Sequence, residues 1–141
     1  MSTYNILKGE NNKTKNIFNE LTVESLNELL QTYSNTNNHI IIKLGATWCG
    51  PCQKIKNLCN NLFIDLPDNV ICYDLDIDDN FELYGAFRTK KMVKGIPAIF
   101  HYNCKMHRDN WFICDKFVSG SDISSIVELF TNVNTLAKEN S

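Results

Sequence analysis

The apolar run Ile40-Ile41-Ile42-Lys43-Leu44-Gly45-Ala46 leads, through Thr47, into Trp48-Cys49-Gly50-Pro51-Cys52. A short continuous apolar run reads as a strand buried on both faces, here His39 to Leu44 at the centre of a sheet. Two thiols separated by two residues can close a small disulfide ring. At the end of a strand and the start of a helix, the first of them can also be held as a thiolate. Unpaired backbone N–H groups and the positive dipole end at a helix N-terminus favour an anion. Cysteines placed in that way have thiol pKa values below the free value of about 8.5 and are nucleophiles toward other disulfides. A bare C-x-x-C is equally at home in a zinc site. No second C-x-x-C or H-x-x-H follows to complete one.

The rest of the chain alternates strand and helix signals. Met1 to about Asn16 is polar and rich in Asn and Lys, which predicts a flexible extension, residues 1–16. Ile17 to Leu21 is a candidate edge strand. Thr22 suits a helix N-cap, and Val23, Leu26, Leu29, Leu30 and Tyr33 then recur at helical spacing. The cysteine motif opens the next helix, whose Ile55, Leu58, Cys59 and Leu62 share one face. Val70 to Leu75 reads as a strand and Phe81 to Phe87 as a short helix before the basic loop Arg88-Thr89-Lys90-Lys91. Ala98 to about Met106 and Trp111 to Ser119 are expected to form an antiparallel hairpin around Arg108-Asp109-Asn110. Ile123, Ile126, Val127 and Phe130 mark a last amphipathic helix, and residues 135–141 a polar tail. The expected order is β-α-β-α-β-α-β-β-α: an α/β domain over residues 17–134, with a mixed five-stranded sheet and helices on both faces.

Ala46-Thr47-Trp48-Cys49-Gly50-Pro51-Cys52 resembles the active-site segment of the thioredoxin family. Lys94-Gly95-Ile96-Pro97-Ala98-Ile99-Phe100 is similar to the segment carrying that family's cis-proline, and Phe117-Val118-Ser119-Gly120 to its last strand. The resemblance implies the thioredoxin fold, with a lengthened final hairpin. It implies that Pro97 faces the cysteine pair and that Ile96 offers its backbone to an extended substrate. It further implies thiol–disulfide exchange through a redox-active Cys49–Cys52 disulfide. Cys49 would be the nucleophile and Cys52 the resolving cysteine, with Trp48, Gly50 and Pro51 as the contact surface. Gly50 is read as permitting close approach at the turn, and Pro51 as a first-turn residue with no N–H to satisfy. The expected partners are disulfide-containing protein substrates and a thioredoxin-reductase-type or other dithiol reductant.

One departure stands out. The family usually has a buried Asp six residues before the first cysteine, where this chain has Lys43. Asp74 occupies a strand position that is often Lys in bacterial members, so the pair is expected with its charges exchanged. A lone buried ammonium is costly unless paired or deprotonated. Lys43 is therefore read as a stabiliser of the Cys52 thiolate or a proton-transfer group, with Asp74 as its partner. Snorkelling of Lys43 to solvent is the plain alternative.

Net charge is −2 and no basic run occurs, which gives no reason to expect nucleic acid. No apolar stretch approaches the ~20 residues needed to span a bilayer, and the N-terminus lacks an apolar signal segment. A cytoplasmic setting, no cofactor, no metal, and a monomer or weak dimer are the expectations. Cys59 and Cys72 read as core residues. Cys104 and Cys114, on opposite arms of the hairpin, are read as free thiols, a second disulfide being the alternative. His101, Cys104, His107 and Cys114 make only a superficial metal cluster, because strand alternation sends His101 and Cys104 to opposite faces. Lys90, Lys91 and Lys94 flank the Pro97 loop. Two other functions stand beside the reductase: an isomerase or oxidase in an oxidising compartment, and a docking module using the hairpin or N-terminal arm.

Overall fold

A computed structural model describes residues 4–139. Seven consecutive buried residues make β3 (His39–Gly45) the middle of the sheet. It pairs in parallel with β4 (Val70–Asp76) and antiparallel with β5 (Ala98–Asn103). Outside β4 lies β2 (Thr14–Phe18), in parallel register, and outside β5 lies β6 (Lys116–Ser119), antiparallel. The sheet is completed by β1 (Tyr4–Lys8), antiparallel to β2, giving the order β1-β2-β4-β3-β5-β6.

Side-chain alternation then sorts the core into two layers. Ile40, Ile42, Leu44, Phe100 and Tyr102 face α1 (Val23–Thr32) and α4 (Phe81–Thr89), against Leu26, Leu30, Leu83 and Phe87. Ile41, Cys72 and Ile99 face α3 (Lys56–Ile64) and α5 (Ile123–Lys138). On α5, Ile126, Leu129, Phe130, Val133 and Ala137 form the buried stripe, and Phe130 meets Phe63 edge-to-face at 5.2 Å. Each fully buried side chain of this size contributes about 1.5–3 kcal/mol of transfer free energy. Caps start these helices where the sequence places them: Thr22 Oγ1 accepts the Ser25 N–H at 3.0 Å, and Asp122 that of Ser125 at 3.0 Å.

Three expectations change. The segment read as a flexible extension supplies β1 and most of β2, so the sheet has six strands, and the strand placed at Ile17–Leu21 starts earlier and lies inside the sheet. Lys15 explains much of this. Its ammonium donates to the carbonyl oxygens of Pro67 and Val70, both at 2.8 Å, tying β2 to the start of β4. Residues 1–3 lie outside the described residues. At the other end, α5 runs on to Lys138 with Ala137 buried, so the polar tail is helical for most of its length. Asn37 Nδ2 and Asn69 Nδ2 donate to the Ala137 carbonyl at 3.2 and 2.9 Å and hold that helix end.

The long hairpin is the third correction. Its arms stop at Asn103 and Lys116, and side chains replace the ladder beyond them. Asp115 Oδ2 accepts from the Asn103 N–H at 2.6 Å and from Arg108 at 2.8 Å, while Arg108 also donates to the Asn103 carbonyl at 2.9 Å. Tyr102 OH donates to the Phe112 carbonyl at 2.8 Å, and Lys90 Nζ sits 4.3 Å from the centre of the Phe112 ring. The inserted residues therefore form a loop folded against α4's end.

Beneath α5, two buried histidines stack, with His39 Nδ1 3.0 Å from His101 Nε2. Asn37 Nδ2 is a donor to the α5 end, so its Oδ1 is the acceptor for His39 Nε2–H at 3.2 Å. His39 Nδ1 must then accept from His101 Nε2–H. His101 Nδ1 is left buried without a hydrogen-bond partner among the described residues. Burial lowers the His101 pKa from 6.5 to about 4; His39, Arg108 and Lys116 add to this and Asp115 opposes it. The unfolded chain takes up this proton near pH 6.5 and the folded one does not until about pH 4. Stability from this group is complete above pH 6.5 and is lost as the pH falls toward 4, on the order of 3 kcal/mol. Urea midpoints measured across that window should fall steeply for the native chain, and His101→Gln should flatten the slope while lowering the neutral-pH midpoint.

Candidate redox site

The register Leu44↔Ala98 between β3 and β5 decides where the site forms. It sets the chain leaving β3 beside the chain entering β5, and so Cys49 beside Pro97. The Ile96–Pro97 bond is cis, and the Ile96 carbonyl oxygen lies 4.0 Å from Cys49 Sγ. Cys49 and Cys52 are joined as a disulfide, their Cα atoms 5.2 Å apart.

Cys49 is the N-cap of α2 (Gly50–Lys54), and its Sγ accepts the Cys52 N–H at 3.3 Å. An orphan helix donor is thus aimed at the sulfur that would carry charge after reduction. Cys49 is 7% exposed and Cys52 3%, so both are buried and the first is the less buried of the two. Pro51 lies in the first turn. Gly50 is a correction: a Cβ there would meet nothing within 4 Å, so no close approach within the chain demands glycine. The helix read as continuous is broken at Ile55, which ends α2 and precedes α3.

Trp48 is 67% exposed, and its indole N–H donates to Asp78 Oδ2 at 2.8 Å. Asp76 Oδ1 in turn accepts the Asp78 N–H at 2.8 Å. Asp78 was not legible as a site residue; the only signal was the Asp76-Ile77-Asp78-Asp79 run after β4. Gln53 was also missed. Its Nε2 donates to the carbonyls of Ala46 and Thr47, at 3.2 and 3.3 Å, and fixes the turn that presents Trp48.

Lys43 and Asp74 stand opposite each other in the β3–β4 register, on the face toward α3. Lys43 Nζ is 3.3 Å from Asp74 Oδ1 and 3.4 Å from Oδ2. The lysine side chain is 5% exposed and the aspartate 29%. The ammonium therefore stays inside and is paired there, and does not snorkel to solvent.

The other cysteines carry free thiols and are kept out of this chemistry by burial, which raises Cys59, Cys104 and Cys114 to about 11 and Cys72 to about 12. The four residues of the superficial metal cluster do not come together: Cys104 and Cys114 share one apolar cluster, apart from both histidines. His101 bonds His39, Cys104 packs into the α1/α4 layer, and exposed His107 pairs with Asp109 at 3.0 Å. The three lysines near Pro97 are exposed.

Unequal burial across the Lys43–Asp74 pair makes its two halves unequal in energy. Asp74→Asn strands a buried ammonium and should cost about 3–5 kcal/mol. Lys43→Met leaves a carboxylate that water can reach, so its cost should be clearly smaller. Urea unfolding of both variants checks the order, and equal losses would contradict it.

Residues 17–112 match the family model described as Thioredoxin. The chain is 29% identical over 134 residues to "Thioredoxin 3" of Plasmodium falciparum, covering 89% of this chain and 66% of that one. It is 27% identical over 90 residues to "Thioredoxin-like protein CITRX, chloroplastic" of Solanum tuberosum, covering 64% of this chain and 48% of that one. It thus spans less than two thirds of either relative's length. Fasciola hepatica thioredoxin superposes with a TM-score of 0.61 at 22% identity, over 82% of this chain and 98% of the other, a likeness of fold. With most of its length matched by one family model, the chain belongs to the thioredoxin family.

Proposed function

We propose that this protein is a protein-disulfide reductase that cycles Cys49 and Cys52 between dithiol and disulfide. The observation that carries the reading is the Cys49–Cys52 pair at the start of α2, with Cys49 Sγ beside the Ile96 carbonyl that precedes cis-Pro97. Members of the thioredoxin family are thiol–disulfide oxidoreductases acting on disulfide substrates with a separate reductant, which supports it.

In the forward direction, Cys49 thiolate attacks one sulfur of a substrate disulfide. The substrate S–S bond breaks, its electron pair leaves with the other substrate sulfur, and a Cys49–substrate mixed disulfide forms. Cys52, deprotonated, attacks Cys49 Sγ and expels the second substrate thiolate. Two electrons have moved to the substrate, and the protein is left oxidised, to be recharged by a dithiol reductant. Lys43, held by Asp74, stabilises negative charge on Cys52 as it becomes the attacking thiolate. Trp48, Gly50, Pro51, Ile96 and Pro97 provide the surface on which an extended substrate lies, the Ile96 backbone being its pairing edge. A reducing, cytoplasmic setting fits this use. Among the described residues, no helix is long and apolar enough to cross a membrane.

Insulin reduction with a Cys52→Ser control is the direct test. The native chain should turn over, and the variant should accumulate a Cys49–insulin adduct and stop; absence of both would reject the reading. In dithiothreitol redox buffers the pair should equilibrate near −270 mV, whereas a value near −180 mV would mean an isomerase or oxidase. Lys43→Met should slow release of the trapped mixed disulfide, and an unchanged release rate would remove Lys43 from the mechanism.

A further inference from the structure

The sheet ends on β6, which has a neighbour strand on one side only. The Gly120 N–H turns inward, to the Pro97 carbonyl at 2.8 Å. In the register Ala98↔Ser119, Ile99↔Val118, Phe100↔Phe117, the alternation of an antiparallel ladder then turns the N–H and C=O of Phe117 and Ser119 outward. An edge of this kind is a template for another strand. Phe117 is also the open end of an aromatic row. Phe87 meets Phe100 edge-to-face at 5.1 Å, and Phe100 stacks on Phe117 at 5.8 Å with 14° between the rings. Phe117 itself is left 50% exposed.

Along this edge a groove of about 900 Å³ runs between β6 and α5, bounded by Lys116, Phe117, Val118, Ile123, Val127 and Glu128. Ile123 is 61% exposed. Lys116 and Glu128 are both exposed, and neither enters an ion pair among the described residues. Val118 packs on the α5 side of the sheet, so alternation places Lys116 on that side too.

We infer that the β6 edge pairs with β6 of a second copy of this chain, antiparallel about a two-fold axis at Phe117. A two-fold axis sets an edge against itself, and the residue at the centre of this edge is aromatic and half uncovered. With the axis at Phe117, ring meets ring and the two residues exchange N–H···O=C bonds in both directions. An axis at Val118 would set each ring against Ser119 instead. Charge agrees with the first alignment. Lys116 of one copy then stands opposite Val118 of the other, so the two lysines are not opposed. Each lysine enters the other copy's groove, where Glu128 supplies the missing carboxylate, and symmetry makes this ion pair twice.

The edge is four residues long, which puts the interface at the small, weak end of the range. Sedimentation equilibrium of the full-length chain, in excess dithiothreitol, tests this from about 5 µM to about 1 mM, with half-dimerisation expected at roughly 0.1 mM. The series should run from monomer to dimer and stop there. Phe117→Lys places two ammonium groups on the axis and should keep the chain monomeric throughout. Lys116→Glu and Glu128→Lys should each weaken dimerisation about tenfold, and combining them should restore it, a rescue that loss of fold cannot mimic. A monomer at every concentration, growth beyond the dimer, a dimer untouched by Phe117→Lys, or a double variant no tighter than either single would overturn the inference. The readout involves no cysteine chemistry and is independent of the reductase reading.

Discussion

The burial of β3 on both faces is the constraint from which the remaining geometry follows. A slip of one residue against β4 would turn Ile40, Ile42 and Leu44 out of the α1/α4 layer. It would also drive Lys43 into that apolar layer and away from Asp74, its partner in the present register. Apolar packing and one ion pair thus select the same alignment. The end of β3 is thereby placed against the start of β5, and the turn carrying Cys49 comes to rest by Pro97 with no further adjustment.

Six cysteines share one chain, and position separates their chemistry. Cys59, Cys72, Cys104 and Cys114 lie where desolvation penalises a thiolate, so each remains protonated well past neutral pH. Cys49 is buried too, but it caps a helix, with a backbone N–H directed at its sulfur. The exchanged Lys43–Asp74 pair sets this site apart within the family pattern. A cation now stands on the α3-facing side of β3, where the family usually carries a carboxylic acid, and it lines the same cavity as Cys52. The ammonium group is held in place there, with the aspartate nearer solvent balancing it.

Much of the scaffold was legible because its signals are local. The mostly apolar run marked β3, the helical spacing marked α1 and α5, and Thr22 marked a cap. The pairing of Lys43 with Asp74 was readable from their places on two strands, once those strands were taken as neighbours. What escaped had only long-range causes. β1 and β2 look like a loose polar segment until Lys15 meets the carbonyls of Pro67 and Val70, far along the chain. The hairpin arms carry strand-like residues as far as Met106 and Trp111, yet Arg108 and Asp115 bond the backbone in place of a ladder. Asp78 and Gln53 joined the site through contacts that no spacing announces.

By itself, the sequence determined the cysteine pair, its position after a buried strand and before a helix, and the location of the proline segment. These depend on neighbours along the chain: apolar runs, a two-residue spacing and turn-forming residues. Tertiary structure alone decided how deeply the two cysteines are buried, that Lys43 is paired within the interior, and that an open volume lies against Cys52. Those properties arise from the packing of elements distant in sequence. Burial and access are set by what the rest of the chain leaves uncovered.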